Sequence, residues 1–188
     1  MTAEPTAPTR PTVPSAYPET IEIRQVRVSD PAAAPLLAGL DLEYRTRYGP
    51  NDELGRYPDA EFAPPGGAFL ILVERGRTVA GGAFRRLDAV TAELKRIWTD
   101  SGQRRRGLGR LVVRALEEEA ARQGYRRVYL TTGPRQPEAA GLYLRAGYRP
   151  LHDLSVPVET LHHLVFEKDL PARGGRGQDV RAPEVQDA

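Results

Sequence analysis

The segment from Ala92 to Arg110 constrains this chain most. Ala92–Thr99 reads as a strand and runs through Asp100-Ser101-Gly102-Gln103 into Arg104-Arg105-Arg106-Gly107-Leu108-Gly109-Arg110. Leu108, Leu111, Val112, Ala115, Leu116 and Ala120 then recur at the three-four spacing of an amphipathic helix. A glycine-rich turn therefore opens directly onto a helix N-terminus. The first N–H groups of a helix have no internal partner, and they lie at the positive end of its dipole. A pyrophosphate suits that place because it accepts several N–H bonds at once. Glycines at 107 and 109 let the backbone come close, and the arginines offer charge-assisted contacts to phosphate oxygens. The same residues also read as a tight strand–helix connection flanked by solvated arginines, and a glycine pair alone does not decide between the two. Two other phosphate loops are excluded. Arg110 follows Gly109 where a nucleotide-hydrolase loop ends in Gly-Lys-Ser/Thr, and Val112 stands where the dinucleotide fingerprint needs its third glycine.

The flanking sequence frames this turn. Residues 1–20 carry Pro5, Pro8, Pro11, Pro14 and Pro18 and are expected to be disordered. Residues 171–188, with Gly174, Gly175 and Gly177 among charges, read as a second loose tail. One domain is expected over residues 21–170. Ile21, Ile23, Val26 and Val28 suggest a strand. Asp30-Pro31 reads as a helix cap and first turn, followed by Ala33, Leu36, Leu37, Leu40 and Tyr44 at helical spacing. Residues 49–67 read as a long loop. Ala68–Glu74, Val79–Arg86, Tyr125–Thr131 and Leu164–Leu170 read as strands, and Glu138–Ala146 as a helix stopped by Gly147. The order implies a mixed α/β sheet, antiparallel at first and with a crossover later.

At this point the chain resembles the GCN5-related N-acetyltransferase (GNAT) superfamily. Arg104-Arg105-Arg106-Gly107-Leu108-Gly109 fits the family signature Gln/Arg-x-x-Gly-x-Gly/Ala. Glu93–Thr99 fits the strand entering it, and Pro137–Tyr143 with Gly147-Tyr148 fits the helix that follows. The resemblance implies an α/β (α+β) fold: a mixed, mostly antiparallel six- or seven-stranded sheet flanked by helices, with a V-shaped splay between central strands. It implies acetyl-CoA as co-substrate and direct transfer of acetyl to a primary amine in a ternary complex. The backbone of Ile97, Trp98 and Thr99 is implied to meet the pantetheine arm, and the amides of Arg104, Arg105, Arg106, Gly107, Leu108 and Gly109, with Arg110 beside them, the pyrophosphate. Gln136 stands where the family often has Asn. A non-catalytic acyl-CoA-binding domain on the same fold is the alternative.

Direct transfer needs a neutral amine, a stabilised oxyanion and a proton for the leaving thiolate. The resemblance assigns Tyr143 as proton donor; a helix tyrosine packed on the sheet is the other reading. Glu93 is the candidate general base, or else an exposed strand residue paired with Lys95 on the same face. Trp98 reads as an acceptor-pocket wall or as core. The oxyanion is expected at an amide near Ile97. His162 and His163, taken as strand neighbours, face opposite sides, so no metal site is expected. The Tyr44–Pro65 segment carries Asp52, Glu53, Asp59 and Glu61 among tyrosines, which suggests a cationic, amine-bearing acceptor: a small amine or a peptide amine. Glu117-Glu118-Glu119 reads as a solvated helix face, with Glu118 and Arg122 at pairing distance. The 188 residues carry a net charge of +2 and no cysteine. These values argue against a nucleic-acid partner and exclude disulfides and a cysteine nucleophile. With no apolar run long enough to span a bilayer, a cytoplasmic protein without membrane association is expected. Homodimerisation stays open.

Overall fold

The computed structural model describes residues 21–171. The expected tails, apart from Pro171, lie outside the described residues. Seven strands form one sheet: β1 (Glu22–Gln25), β2 (Ala68–Glu74), β3 (Arg77–Arg86), β4 (Thr91–Thr99), β5 (Arg127–Thr132), β6 (Arg149–Pro150) and β7 (Leu164–Asp169). Their order across the sheet is β1-β2-β3-β4-β5-β7-β6. Three α-helices accompany them: α1 (Ala34–Tyr48), α2 (Leu108–Arg122) and α3 (Pro137–Arg145). Every neighbouring pair is antiparallel except β4 and β5, which α2 joins as a parallel crossover.

The apolar pattern explains the layers. All of β2 is buried, so it carries apolar side chains on both faces. Leu70 and Leu72 join Phe84, Leu94, Val112, Leu116, Leu130 and Phe166 in the core under α2 and α3. Phe69, Ile71 and Val73 join Leu36, Leu40, Phe62 and Trp98 in a second core under α1. The Trp98 side chain thus belongs mainly to the core. It lies so close to α1 that a Cβ built on Gly39 would meet its Nε1 at 2.3 Å. The glycine is what lets helix and strand approach.

Several expected elements change shape. β1 ends at Gln25, because the chain turns at Arg27–Asp30, where the Asp30 amide donates to the Arg27 carbonyl at 3.0 Å. Asp30 caps the next turn as expected: its Oδ1 accepts from the Ala32 amide at 2.8 Å. That turn is 3-10 over Pro31–Ala33, and α1 then runs to Tyr48. The long loop contains a short 3-10 turn, Asp59–Phe62, that buries Phe62. Tyr125 precedes β5 rather than starting it, and its hydroxyl donates to the Gly66 carbonyl at 2.7 Å. Strand β6 has only two residues, too few to leave a pattern. The glutamate run is not a uniformly solvated face. Glu119 is buried and accepts from Gln123 at 2.8 Å, Glu117 pairs with Lys168 at 2.8 Å, and Glu118 pairs with Arg114 rather than Arg122.

Two backbone features shape the centre of the sheet. Gly81 faces Trp98 and Ala83 faces Lys95, so Gly82 alone stands against both Arg96 and Ile97. This is a β-bulge in β4, with Arg96 at φ 57° in the left-handed region. Its side chain ties the strained residue down: Nη2 donates to the Leu54 carbonyl at 2.7 Å, and the guanidinium lies 4.1 Å from the Phe62 ring centre. The parallel pairing of β4 with β5 runs only from Thr91–Arg127 to Leu94–Leu130. Beyond that point the two strands part.

The Gly39 approach yields a stability prediction. Gly39→Ala should overpack the α1–Trp98 contact and cost about 1–3 kcal/mol. Urea unfolding should show a lower midpoint with an unchanged slope.

Candidate active site

The parting of β4 and β5 leaves a cleft on each side of one narrow junction. The first, of about 730 Å³, is lined by Ile97, Trp98 and Thr99 of β4, by Arg104, Arg105 and Gly107–Arg110 of the turn, and by Leu142 and Arg145 of α3. The second, of about 430 Å³, is lined by Glu93–Ile97, by Thr131 and Thr132 of β5, by Tyr44, Tyr48, Glu53 and Tyr57, and by His162 and His163. Ile97, Gln136, Ala139 and Tyr143 line both.

The first cleft suits a long phosphorylated ligand. Past Leu94 the β5-facing side of β4 has no strand partner among the described residues, so its backbone groups can receive an extended arm as an added strand would. The turn ends in Gly107 at φ 79° and ψ 4°, directly before α2. Arg105 is also left-handed, at φ 63°. Adjacent residues of opposite hand, as at Gly107 and helical Leu108, make a concave nest of N–H groups that binds anions. Arg47, Arg104, Arg105, Arg110 and Arg145 line this cleft against Glu43 and Glu138, so its wall is positive. Arg145 was not singled out from sequence; only the helical spacing of α3 brings it beside the turn.

Arg106 requires a correction as a phosphate-binding side chain. Its guanidinium grips Glu74 of β2 through two bonds, at 2.7 and 2.8 Å, and is not among the lining groups. The bidentate pairing with Arg106 holds the Glu74 carboxyl below the usual glutamate range. Arg104 does line the cleft, yet it also lies 3.3 Å from Glu43 of α1.

Tyr143 sits at the junction. Its ring is buried against Tyr148 and Phe166, with centroids 5.7 and 5.8 Å apart. Burial pushes its hydroxyl well above the usual tyrosine range, so it stays protonated. Gln136 precedes α3, and its Oε1 accepts from Thr132 Oγ1 at 3.0 Å and from the Gly133 amide at 3.4 Å. It thereby fastens the start of α3 to the end of β5. Arg47 adds a second tie, between α1 and α3. It pairs with Glu43 at 3.1 Å and also binds Glu138 and the Arg135 carbonyl.

Glu93 is only 5% exposed. Lys95 Nζ is 3.1 Å from its Oε1, so the pairing expected along the strand is present. Arg85 Nη2 stands 2.7 Å from Oε2 but off the hydrogen-bonding direction, which makes that contact Coulombic. Glu53 of the second cleft is matched too, as are Asp59 and Glu61, which lie outside its lining. Glu53 lies 3.5 Å from Arg56 and 3.9 Å from Lys95, Asp59 is 3.8 Å from Arg96, and Glu61 is 2.9 Å from Arg85. Asp52 is outside the lining. These acids therefore do not form a free anionic surface for a cationic acceptor.

The histidines also depart from expectation. His162 and His163 precede β7 in irregular backbone, and both line the second cleft. The strand argument that sent them to opposite faces does not apply there. Among the described residues no group of three or more metal-ligating side chains occurs. Among the described residues no helix is long and apolar enough to cross a membrane.

A profile of the Acetyltransferase (GNAT) family matches residues 36–148, which run from within α1 to just past α3 and include the first cleft's lining. The chain belongs to the GNAT acetyltransferase family. A search of curated proteins returned no match. Among solved structures, a Klebsiella pneumoniae protein of the acyl-CoA N-acyltransferase type is 25% identical with a TM-score of 0.64, over 80% of this chain and 97% of that one. A GNAT-family acetyltransferase from Staphylococcus aureus Mu50 is 18% identical with a TM-score of 0.65, over 81% and 100%. The PaiA N-acetyltransferase of Thermoplasma acidophilum, solved with coenzyme A, is 14% identical with a TM-score of 0.61, over 80% and 99%. The last two likenesses concern the fold. Membership of this family makes the chain an acyl-CoA-dependent acyltransferase in general terms, and the family uses acetyl-CoA.

Two groups of arginines should separate in binding. Arg105→Ala or Arg110→Ala should weaken acetyl-CoA binding about tenfold or more, as expected for losing a charged hydrogen bond. Arg106→Ala should change the affinity by less than about threefold, because Glu74 already holds that side chain. Calorimetric titration of the three variants checks the difference.

Proposed function

We propose that this protein is an N-acetyltransferase that moves acetyl from acetyl-CoA to a primary amine by direct transfer within a ternary complex. One observation carries the reading: two clefts of different character share Ile97, Gln136, Ala139 and Tyr143 in their walls. The positive one fits the donor and the tyrosine-rich one the acceptor. Both substrates can then be bound together, and no covalent acyl-enzyme is needed.

The residues divide the work as follows. The N–H groups of Arg104–Gly109 hold the pyrophosphate, helped by Arg104, Arg105, Arg110 and the start of α2. The free edge of Ile97–Thr99 aligns the pantetheine arm, with Gln136 facing it across the junction. The backbone at Ile97, turned by the bulge, offers an N–H to the developing oxyanion. Tyr143 stays protonated through burial and donates its proton to the departing thiolate. Glu93, proposed from sequence as the base, faces the acceptor with Lys95 and Arg85 on its oxygens. An incoming amine would have to displace one of them.

Two substitutions test the reading. Gly107→Glu puts a carboxylate at the phosphate nest and a side chain at a left-handed backbone position, so acetyl-CoA binding by calorimetry should be lost. Tyr143→Phe keeps the ring packing and removes the proton. It should lower kcat about 100-fold or more while leaving acetyl-CoA affinity unchanged. An unchanged kcat in Tyr143→Phe would remove the tyrosine from the mechanism, and wild-type protein without acetyl-CoA binding would refute the assignment.

A further inference from the structure

We propose that the His162–His163 pair supplies the general base that takes the acceptor amine's proton, an inference resting on the acetyltransferase reading above. Both side chains line the acceptor cleft together with Tyr143. Their place follows from sheet register. Leu164, which follows His163, stands across from Thr132, at the end of β5 that has already parted from β4. Both histidines are thereby brought to the mouth of the splay.

The charged groups of this cleft are engaged. Lys95 and Arg85 hold Glu93, while Arg56 and Lys95 flank Glu53. The Arg96 guanidinium donates to the Leu54 carbonyl. Burial raises Tyr44, Tyr48 and Tyr143 above the usual tyrosine range, so these hydroxyls keep their protons. The Tyr57 ring lies against the Arg85 guanidinium at 4.0 Å. Neither His162 nor His163 makes a hydrogen bond or ion pair with the described residues, and both are exposed residues of the cleft lining. His152 differs: its Nδ1 lies 3.1 Å from the Val165 carbonyl and its ring packs edge-on against Phe166 at 5.3 Å. That histidine is structural.

The chemistry balances with one imidazole. An ammonium acceptor loses a proton to a neutral ring nitrogen, and the freed amine nitrogen bonds to the thioester carbonyl carbon. The C–S bond then breaks, and the sulfur leaves with the proton from Tyr143. The second amine proton passes to the Tyr143 phenolate, which completes the amide and restores the tyrosine, and solvent takes the first proton from the imidazolium. Histidine is the side chain suited to this role near neutral pH.

The test is the pH dependence of kcat/KM in wild type, His162→Gln, His163→Gln and the double variant. The amines assayed would be spermidine, an α-amino acid and a lysine-bearing peptide. Acetyl-CoA affinity would be measured in parallel by calorimetry as a check on folding. The double variant should lose about 100-fold or more in kcat at neutral pH, keep its acetyl-CoA affinity and lack the acidic limb of the profile. Added imidazole should restore part of the rate in a double alanine variant. Whichever single variant carries most of the loss identifies the base. An active wild type whose double variant keeps the acidic limb, or loses less than about threefold in kcat, overturns this proposal alone. A wild type that binds no acetyl-CoA or acetylates none of the amines overturns the parent reading and this proposal with it.

Discussion

Backbone N–H and C=O groups inside a sheet must find partners, and β4 leaves one of its sides without a strand from Lys95 onward. The rest of the site depends on that gap. Parallel pairing with β5 ends at Leu94 and Leu130, while β4 stays bound to β3 on its other side. The bulge opposite Gly82 adds a residue to β4 there and gives the strand extra twist. The sheet keeps its integrity because β5 continues against β7 as far as Thr132 and Leu164. A gap in mid-sheet is thus held open by strands that are well paired elsewhere.

Charge sorts the two sides of that gap. On the turn side, Arg104, Arg105, Arg110 and Arg145 meet the start of α2, which suits an anionic donor. On the other side Glu53, Asp59, Glu61 and Glu93 are paired with cations of β3, β4 and Arg56. Buried Glu93 in particular is balanced by Lys95 and Arg85, since an unpaired buried carboxylate would be costly. The aromatic rings of Tyr44, Tyr48 and Tyr57 then supply most of the remaining wall. Between the sides, Tyr143 is fixed by packing on Tyr148 and Phe166 rather than by a flexible loop.

Much of this was legible in the sequence because it is local. The strand–turn–helix around Gly107 and the Asp30 cap leave short-range signals, and each is present. What was not legible depends on contacts across the fold. Arg106 looks like its two arginine neighbours in sequence, and only the distant Glu74 takes it out of the cleft. The acids of the Tyr44–Pro65 segment look free until β3 and β4 bring cations to them. Strand periodicity sends His162 and His163 to opposite faces, but it does not reach them: β7 begins at Leu164, as its sequence reads, and both histidines lie in the irregular backbone before it. Strand β6 is too short for any periodic signal.

The central claim is that the donor lies along the free edge of β4 with its phosphates on the Arg104–Gly109 turn. Residue-resolved amide hydrogen exchange, with and without saturating acetyl-CoA, tests it most directly. The predicted result is added protection at Ile97–Thr99 and at Arg105–Arg110, with little change in β1, β2 or β6. Acetyl-CoA binding that leaves both of those segments unprotected, or that protects a different face of the sheet, would contradict it.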